Sequence, residues 1–267
     1  MQQRWPDWLW VVRHGESVGN LASAQAKKAG LPALGLDLRD PDVPLSDLGR
    51  DQSRALGRWF GALPPGGQPE VVLVSPYIRT RETAELIARA AGMPIEPGRF
   101  VADERLREKE LGILDLLTEA GIAAHQPEQA RFRRMLGKFY HRPPGGESWC
   151  DVILRLRSLL DTISLHYAGC RLLVVTHQVV ILCLRYLLEG LSEEQLLAID
   201  RDGAVANCSV TEYQFDPGLG RPGFERHGGM ALRRYNVTAP IAETGTRVTA
   251  EPPVGVPAEA SGGVGAQ

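Results

Sequence analysis

The sequence predicts an α/β protein, namely a three-layer α/β/α sandwich built on a mostly parallel sheet. Three short apolar runs, at residues 9–13, 71–75 and 172–176, are continuous rather than alternating, which is typical of strands covered on both faces. Segments with the apolar spacing of helices separate these runs along the chain. Strands that alternate with helices favour a parallel sheet with helices packed on both of its sides.

Caps and apolar spacing define the helices. Ser46 can cap the first helix, and Gly92 and Gly169 can end the second and third, because glycine readily adopts the left-handed conformation that follows a helix. The fourth helix begins directly after the third strand. The helices are predicted at residues 46–60, 77–91, 147–167 and 178–189.

With 267 residues, of which 43% are hydrophobic, the chain is long enough for one domain with a full core. We expect that domain at residues 1–240. Within it, residues 211–236 have the pattern of two strands joined by a turn rich in Pro and Gly, which predicts a peripheral hairpin. Residues 241–267 lack aromatic side chains and any apolar period, so we expect a disordered C-terminal tail there.

The formal net charge of −2 argues against two classes of partner. No basic patch suits nucleic acid, and no polybasic segment suits a membrane surface. The N-terminus lacks the pattern of a signal peptide, and no stretch reaches the roughly 20 apolar residues that cross a bilayer. The four cysteines are widely spaced, without the short spacing of a metal site, so we expect a reduced, cytoplasmic setting and no metal.

Each predicted strand is followed by residues that can act on a phosphate. Arg13 and His14 follow the first strand, and Arg79 and His177 follow the second and third. Ligands of such sheets bind beyond the carboxyl ends of the strands, so these side chains would meet at one rim. A neutral imidazole is a good nucleophile toward phosphorus, and a guanidinium can hold the phosphate oxygens. Gly15 would let the backbone approach the substrate.

Taken residue by residue, a structural interpretation stays open. A histidine at the end of a strand is commonly a hydrogen-bonded core residue, and this applies to both His14 and His177. Arg79 has Arg81 and Glu82 beside it, an arrangement in which an exposed ion pair is the default. The order of motifs along the whole chain therefore carries more weight than any single residue.

Six ordered motifs resemble those of the histidine phosphatases, also called the phosphoglycerate mutase-like superfamily. They are RHGESVGN at 13–20, LSDLG at 45–49, SPYIRTRETA at 75–84, LREKELG at 106–112, PPGGES at 143–148 and VVTHQ at 174–178. The resemblance covers residues 9 to about 190. It implies the phosphoglycerate mutase-like fold and phosphoryl chemistry that needs neither a metal nor another cofactor.

The resemblance also implies a role for each side chain around the phosphate. His14 would be the nucleophile and would become a phosphohistidine. Arg13, Arg79 and His177 would surround the transferred phosphoryl group and stabilise the charge on its oxygens. Asn20 would add a neutral hydrogen bond to the same group.

The proton donor implied by the resemblance is Glu108. It lies in the charged run DERLREKE, which by itself could be a solvated face. Leu106 two residues before it and Gly112 four residues after it match the family, whereas Glu104 and Glu110 lack this spacing. A carboxylic acid here can protonate the departing oxygen and then, as a carboxylate, deprotonate the attacking water.

The C-terminal half is most similar to the phosphatase half of the bifunctional fructose-2,6-bisphosphate enzymes, in which a glutamine, here Gln178, also follows the second histidine. In that branch an arginine and a lysine four residues apart bind the second sugar phosphate, and Arg134 and Lys138 match them. On a helix this spacing places both cations on one face. Fructose 2,6-bisphosphate is a candidate substrate only, because the chain departs from the branch at several positions. These positions are Glu119, Trp149 and Leu182.

Three functions fit these observations. The first is a metal-independent phosphomonoester hydrolase that acts through a phosphohistidine on small phosphorylated metabolites, such as sugar phosphates or phosphoglycerate-like compounds. The second is a phosphoglycerate mutase-type phosphotransferase, which uses the same side chains; the segment after Asn20 lacks mutase-like flanks, and this favours hydrolysis. The third is a non-catalytic phospholigand-binding protein, which predicts the loss of a nucleophile or acid. We expect no nucleic-acid or membrane partner, and a homodimer stays open.

Overall fold

The computed structural model describes residues 3–219 and 228–250 of the chain. Six strands form one sheet: β1 (Trp8–Arg13), β2 (Val71–Val74), β3 (Phe100–Ala102), β4 (Arg171–Thr176), β5 (Val210–Asp216) and β6 (Gly229–Val237). Their order across the sheet is β3-β2-β4-β1-β5-β6. The first four strands in that order are parallel, and β5 and β6 each pair antiparallel with the strand before.

Helices cover both faces of this sheet. They are α1 (Val18–Ala29), α2 (Asp47–Gly61), α3 (Ile78–Ala91), α4 (Glu119–His125), α5 (Pro127–Tyr140), α6 (Trp149–His166), α7 (Gln178–Glu189), α8 (Glu193–Asp202) and α9 (Ala239–Ala242). The predicted α/β/α sandwich on a mostly parallel sheet is confirmed. Within the described residues, no helix has the length and apolar character needed to cross a membrane.

The two cores lie on opposite faces of the sheet because side chains along a strand alternate in direction. In β1, Leu9 and Val11 belong to the cluster that packs against α6 and α7, whereas Trp10 and Val12 belong to the cluster that packs against α2 and α3. The other central strands divide in the same way. Burial on both faces explains why these strands are continuous apolar runs in the sequence.

The four helices predicted from apolar spacing are α2, α3, α6 and α7, and the hairpin is β5 with β6. The connection at 220–227 lies outside the described residues. Four further helices, α1, α4, α5 and α8, are not predicted, because each buries only one or two residues and so has no long apolar stripe. Helix α1 does carry a local signal, since Ser17 and Asn20 form a capping box.

The structure differs from the expected disordered tail over residues 241–250. Ile241, in α9, is fully buried in the α2/α3 core. The Asn207 backbone N–H donates to the Thr249 carbonyl at 2.8 Å, and Thr249 Oγ1 donates to Asn207 Oδ1 at 3.0 Å. Such tertiary pairing is not visible in composition, which is why the sequence misses it. Residues 251–267 lie outside the described residues.

Candidate active site

Three adjacent parallel strands, β2, β4 and β1, end at the same edge of the sheet and bring the predicted residues together. Arg13 is the last residue of β1, and His177 follows β4. The His14 backbone N–H donates to the Thr176 carbonyl at 2.9 Å, which joins the two strand ends. The His14 and His177 rings lie 5.2 Å apart between centroids.

His14 is held as a neutral base. Its Nδ1 lies 2.7 Å from the Gly15 carbonyl oxygen, and because a carbonyl only accepts, Nδ1 carries the proton and Nε2 keeps its lone pair. Burial, followed by the positive charges of Arg79 and Arg13, lowers the pKa of His14 well below the ordinary imidazole value. The unprotonated Nε2 is therefore available for nucleophilic attack at neutral pH.

His177 is completely buried beside His14. Its Nε2 lies 2.8 Å from Ser75 Oγ, the residue that follows β2. Its buried Nδ1 has no hydrogen-bond partner within the described part of the chain. Burial, with the charge of Arg79 next, lowers the pKa of His177 well below its ordinary value. A buried polar nitrogen without a partner is costly, and a ligand oxygen would satisfy it.

Two buried arginines supply the positive charge. Arg79, in the first turn of α3, donates from Nη2 to Asp40 Oδ2 at 3.0 Å and also to the Asp40 carbonyl. Arg13 donates to the Val205 carbonyl. Only 4% of Arg13 and 5% of Arg79 is exposed, so both guanidinium groups are fixed before any ligand arrives. Fixed donors in a poorly solvated site stabilise developing charge more strongly than mobile ones.

The structure gives Gly15 a packing role that the sequence does not show. A Cβ on Gly15 would lie 2.5 Å from the Gly49 carbonyl oxygen, and one on Gly49 would lie 2.0 Å from the Glu16 carbonyl oxygen. The two glycines therefore allow the nucleophile loop to pack against the start of α2. Ser46, which caps α2, also donates to Glu16 Oε1 at 2.8 Å. The LSDLG motif thus supports the RHGES motif.

Glu108 lies on the loop between β3 and α4 and lines the same cavity as Arg13 and His14. Burial raises the pKa of Glu108, against the backbone hydrogen bond from Lys109 and the charge of Arg79. A carboxyl group with a raised pKa keeps its proton to higher pH, as a general acid requires. This position agrees with the predicted proton donor.

Glu147 and Arg155 hold the loop that carries this acid. Arg155 donates from Nε to Glu147 Oε1 at 2.9 Å and from Nη2 to the Glu108 carbonyl at 3.2 Å. Glu147 in turn accepts from the Glu110 N–H at 3.1 Å. The PPGGES motif therefore positions the LREKELG loop, and Arg155, which belongs to neither motif, ties the two together. The sequence carries no local signal for Arg155.

Asn20 lines the cavity with His14, and its contact with a phosphate stays a prediction. Its Oδ1 accepts from Ser17 N–H at 3.0 Å and from Asn207 Nδ2 at 3.3 Å. Asn207 also donates to the His14 carbonyl at 3.1 Å. A turn before β5 thus supports the nucleophile loop from the side.

Two connected cavities form the site. The phosphoryl cleft, of about 210 Å³, is lined by Arg13, His14, Asn20, Arg79 and Glu108. The side chamber, of about 260 Å³, is lined by Lys109, Leu114, Ile122, Arg133, Lys138 and Trp149, among others. Arg13 and Glu108 line both cavities. A substrate can therefore occupy the cleft with its phosphate and the chamber with the rest.

Not all of the predicted substrate-binding residues line one of the two cavities. Lys138 and Gln178 line the side chamber, and Gln178 Oε1 is buried without a hydrogen-bond partner among the described residues. Arg134 is exposed and does not line either cavity, so the expected shared face with Lys138 is not formed. The reason is Gly137, whose φ of 78° breaks α5 between the two cations. The neighbouring Arg133 faces the chamber instead.

Lys109 and Asp200 also line the side chamber, although the sequence gives no signal for either. Lys109 follows the acid directly, within a charged run that gives no reason to choose it. Asp200 pairs with Lys138 across 62 residues of sequence, its Oδ2 at 2.5 Å from Lys138 Nζ. Only the packing of α8 against the end of α5 reveals that contact.

Comparisons with curated proteins find similarity along most of the chain. A probable phosphoglycerate mutase GpmB of Yersinia enterocolitica is 30% identical over 215 residues, or 79% of this chain and 87% of that protein. The 2,3-bisphosphoglycerate-dependent phosphoglycerate mutase 2 of Gloeobacter violaceus is 34% identical over 196 residues, or 72% of this chain and 80% of its own length.

Solved structures agree as well. A mycobacterial glucosyl-3-phosphoglycerate phosphatase with inorganic phosphate superposes with a TM-score of 0.64 at 26% identity, covering 88% of this chain and 99% of that chain. The α-ribazole phosphatase of Shigella flexneri shares the fold, with a TM-score of 0.65 at 19% identity over 86% of this chain and 96% of that one. Residues 9–222 match the family description "Histidine phosphatase superfamily (branch 1)". The chain therefore belongs to the histidine phosphatase superfamily.

Proposed function

We propose that this protein is a phosphomonoester hydrolase that works through a phosphohistidine on His14 and needs no metal. One observation carries the proposal: a buried, neutral His14 shares a cavity with Arg13, Arg79 and a carboxyl group, Glu108, whose pKa is raised. Nucleophile, anion clamp and acid are the three parts that phosphoryl transfer from an ester requires.

In the first step, His14 Nε2 attacks phosphorus, the N–P bond forms and the ester P–O bond breaks. Glu108 gives its proton to the departing oxygen, so the leaving group departs as a neutral alcohol. Arg13, Arg79 and His177, through its Nδ1, donate hydrogen bonds to the phosphoryl oxygens as the charge on those oxygens redistributes.

In the second step, Glu108 as a carboxylate removes a proton from water, and the water oxygen attacks phosphorus. The N–P bond breaks, inorganic phosphate leaves, and His14 and Glu108 return to their starting protonation states. The proton that Glu108 gives to the leaving group in the first step is replaced by one from water in the second, so the cycle balances.

The substrates are small phosphorylated metabolites, either sugar phosphates or phosphoglycerate-like compounds. Cavities of about 210 and 260 Å³ suit a small molecule. The mycobacterial relative is a glucosyl-3-phosphoglycerate phosphatase by name, which supports hydrolysis of this class. Fructose 2,6-bisphosphate loses support, because Arg134 lies outside the cavities.

A phosphoglycerate mutase-type transfer is the second candidate, favoured by the names of the two curated relatives. It would use the same side chains and differ only in returning the phosphoryl group to a second hydroxyl of the substrate rather than to water. The cytoplasmic setting and the homodimer that the sequence leaves open remain predictions.

Phosphate release with and without a chelator tests the proposal. We expect release of inorganic phosphate from a panel of 3-phosphoglycerate, sugar monophosphates, fructose 2,6-bisphosphate and 4-nitrophenyl phosphate, unaffected by EDTA. Rapid quench in alkaline detergent after labelled substrate should trap a phosphoenzyme that is stable to base and labile to acid, as a phosphohistidine is. Conversion of 3- to 2-phosphoglycerate without phosphate release would instead identify a mutase, and inactivity in both assays would favour a phospholigand-binding protein.

A further inference from the structure

The side chamber is cationic at one end. Lys109, Arg133 and Lys138 line it, while Asp200 neutralises Lys138 through the ion pair described above. Glu119, at the start of α4, acts on Arg133 as a further negative charge. Burial, followed by the positive charge of Arg133, lowers the pKa of Lys109 to about 8. Like charges held together in a poorly solvated cavity are relieved when an anion binds between them.

One wall of the chamber is apolar. Leu114, Ile122 and Trp149 are 3%, 8% and 1% exposed, so they are fixed parts of the core rather than mobile surface side chains. Val179 and Pro143 extend this apolar wall, while Gln178, His141 and Asp200 are polar and also line the chamber. An apolar group placed against the apolar wall would gain by leaving water.

The position of the chamber indicates which part of the substrate it contacts. Glu108 lines both the phosphoryl cleft and the chamber, and it is the acid that protonates the departing oxygen. Atoms attached to that oxygen can therefore extend from Glu108 into the chamber. Arg133 and the apolar wall lie in the chamber alone, whereas Lys109, next to Glu108, lines both cavities.

We propose that the side chamber selects phosphate monoesters whose leaving group has an apolar body that ends in a second anionic group. The apolar body would lie against Leu114, Ile122 and Trp149, and the anion would lie between Lys109 and Arg133. This inference rests on the proposed hydrolase function, since it names the class of leaving group that the same site prefers.

Two nearly isosteric esters test the proposal: 4-carboxyphenyl phosphate and its neutral analogue, 4-carbamoylphenyl phosphate. The measured quantity is the ratio of kcat/KM for the acid to kcat/KM for the amide, because chemistry common to both esters cancels. We expect a ratio above one in the unaltered protein that falls about 10- to 100-fold in Lys109→Met, the loss of one charged hydrogen bond. Arg131→Met, an exposed position on α5, is the matched control and should keep the ratio.

A ratio of one in the unaltered protein, or an equal fall in Arg131→Met, would overturn the proposal. Circular dichroism establishes that each variant folds. If Lys109→Met does not fold, Arg133→Met takes its place in the comparison. Calorimetric binding of 4-hydroxybenzoate, the leaving group itself, separates the two hypotheses. Binding that Lys109→Met weakens, without hydrolysis of any ester, supports the chamber and overturns the hydrolase. Hydrolysis of both esters without any preference for the acid supports the hydrolase and overturns the proposal for the chamber.

Discussion

The phosphoryl cleft and the side chamber are adjacent, yet they are built from different kinds of structure. The cleft takes Arg13 and His14 from the end of β1, and His177 packs against His14 from the end of the neighbouring parallel strand β4. The chamber takes its cations from an irregular loop and from α5, a helix that breaks at Gly137. The nucleophile and the two buried arginines thus lie at the ends of regular elements. Glu108 and Lys109 lie on a loop, and loops vary more easily.

The largest effect should come from the cleft. We expect His14→Ala to lower kcat by at least about a thousandfold, since removal of a nucleophile leaves only binding and electrostatic stabilisation. The trapped phosphoenzyme should disappear with it. His166→Ala, at an exposed position near the end of α6, is the control and should retain full activity. Turnover in His14→Ala near that of the unaltered protein would refute the mechanism.

Glu108 belongs to both regions and should control the pH dependence. Its protonated form is the acid, and because its pKa is raised, kcat/KM should decline with rising pH only above the ordinary carboxyl range. His14 must be neutral, and because its pKa is lowered, the fall on the acidic side should lie below the ordinary imidazole range.

In Glu108→Gln we expect kcat to fall by about 10²- to 10⁴-fold for alkyl esters, the usual contribution of a general acid. The fall should be smaller for 4-nitrophenyl phosphate, whose leaving group needs less protonation. Glu104→Gln, exposed and close in sequence, should behave as the unaltered protein does. Equal losses for both esters would show that Glu108 does not act as the acid.

Replacement of Arg155 tests whether this side chain holds the loop that carries Glu108 in place. Arg155→Met removes the hydrogen bonds to Glu147 and to the Glu108 carbonyl, so the acid loop should lose its position. We expect kcat for alkyl esters to fall by about 10- to 100-fold, as misplacement of a reacting group does, with less change for 4-nitrophenyl phosphate. Arg157→Met, exposed on the same helix, is the control. A loss independent of the leaving group would indicate general damage to the fold instead.

The smallest expected effect concerns Arg134, which the sequence favours as a contact for the substrate, and it is compared with that of Arg133, which the structure favours. Arg134→Met should change kcat/KM for 4-carboxyphenyl phosphate by less than about twofold, as expected for an exposed charge. Arg133→Met should lower it by about tenfold, because this side chain lines the chamber. The opposite order would mean that α5 is continuous through Gly137 in solution and would restore the sequence-based assignment.

Local sequence was sufficient for most of the cleft. Continuous apolar runs identify the central strands because both faces of those strands are buried, and the residues after them must then share one edge of the sheet. The sequence was enough to identify His14, Arg79 and Glu108 as candidates, because each lies within one of the six motifs that occur in the family's order along the chain. Helices α1, α4, α5 and α8 could not, since they bury one or two residues each.

Other features depend on contacts between distant segments. Arg155 reaches the carbonyl of Glu108 from 47 residues away, and Thr249 bonds with Asn207 from 42 residues away. Neither pair leaves a local pattern, because a single polar contact needs no periodicity in either partner. Arg134 and Lys138 do not share a face because Gly137, between them, breaks the helix, and Arg133 lines the chamber instead. The sequence by itself determined the central strands, the hairpin and the residues at the edge of the sheet, whereas the tertiary structure alone decided which side chains support those residues and which line the side chamber.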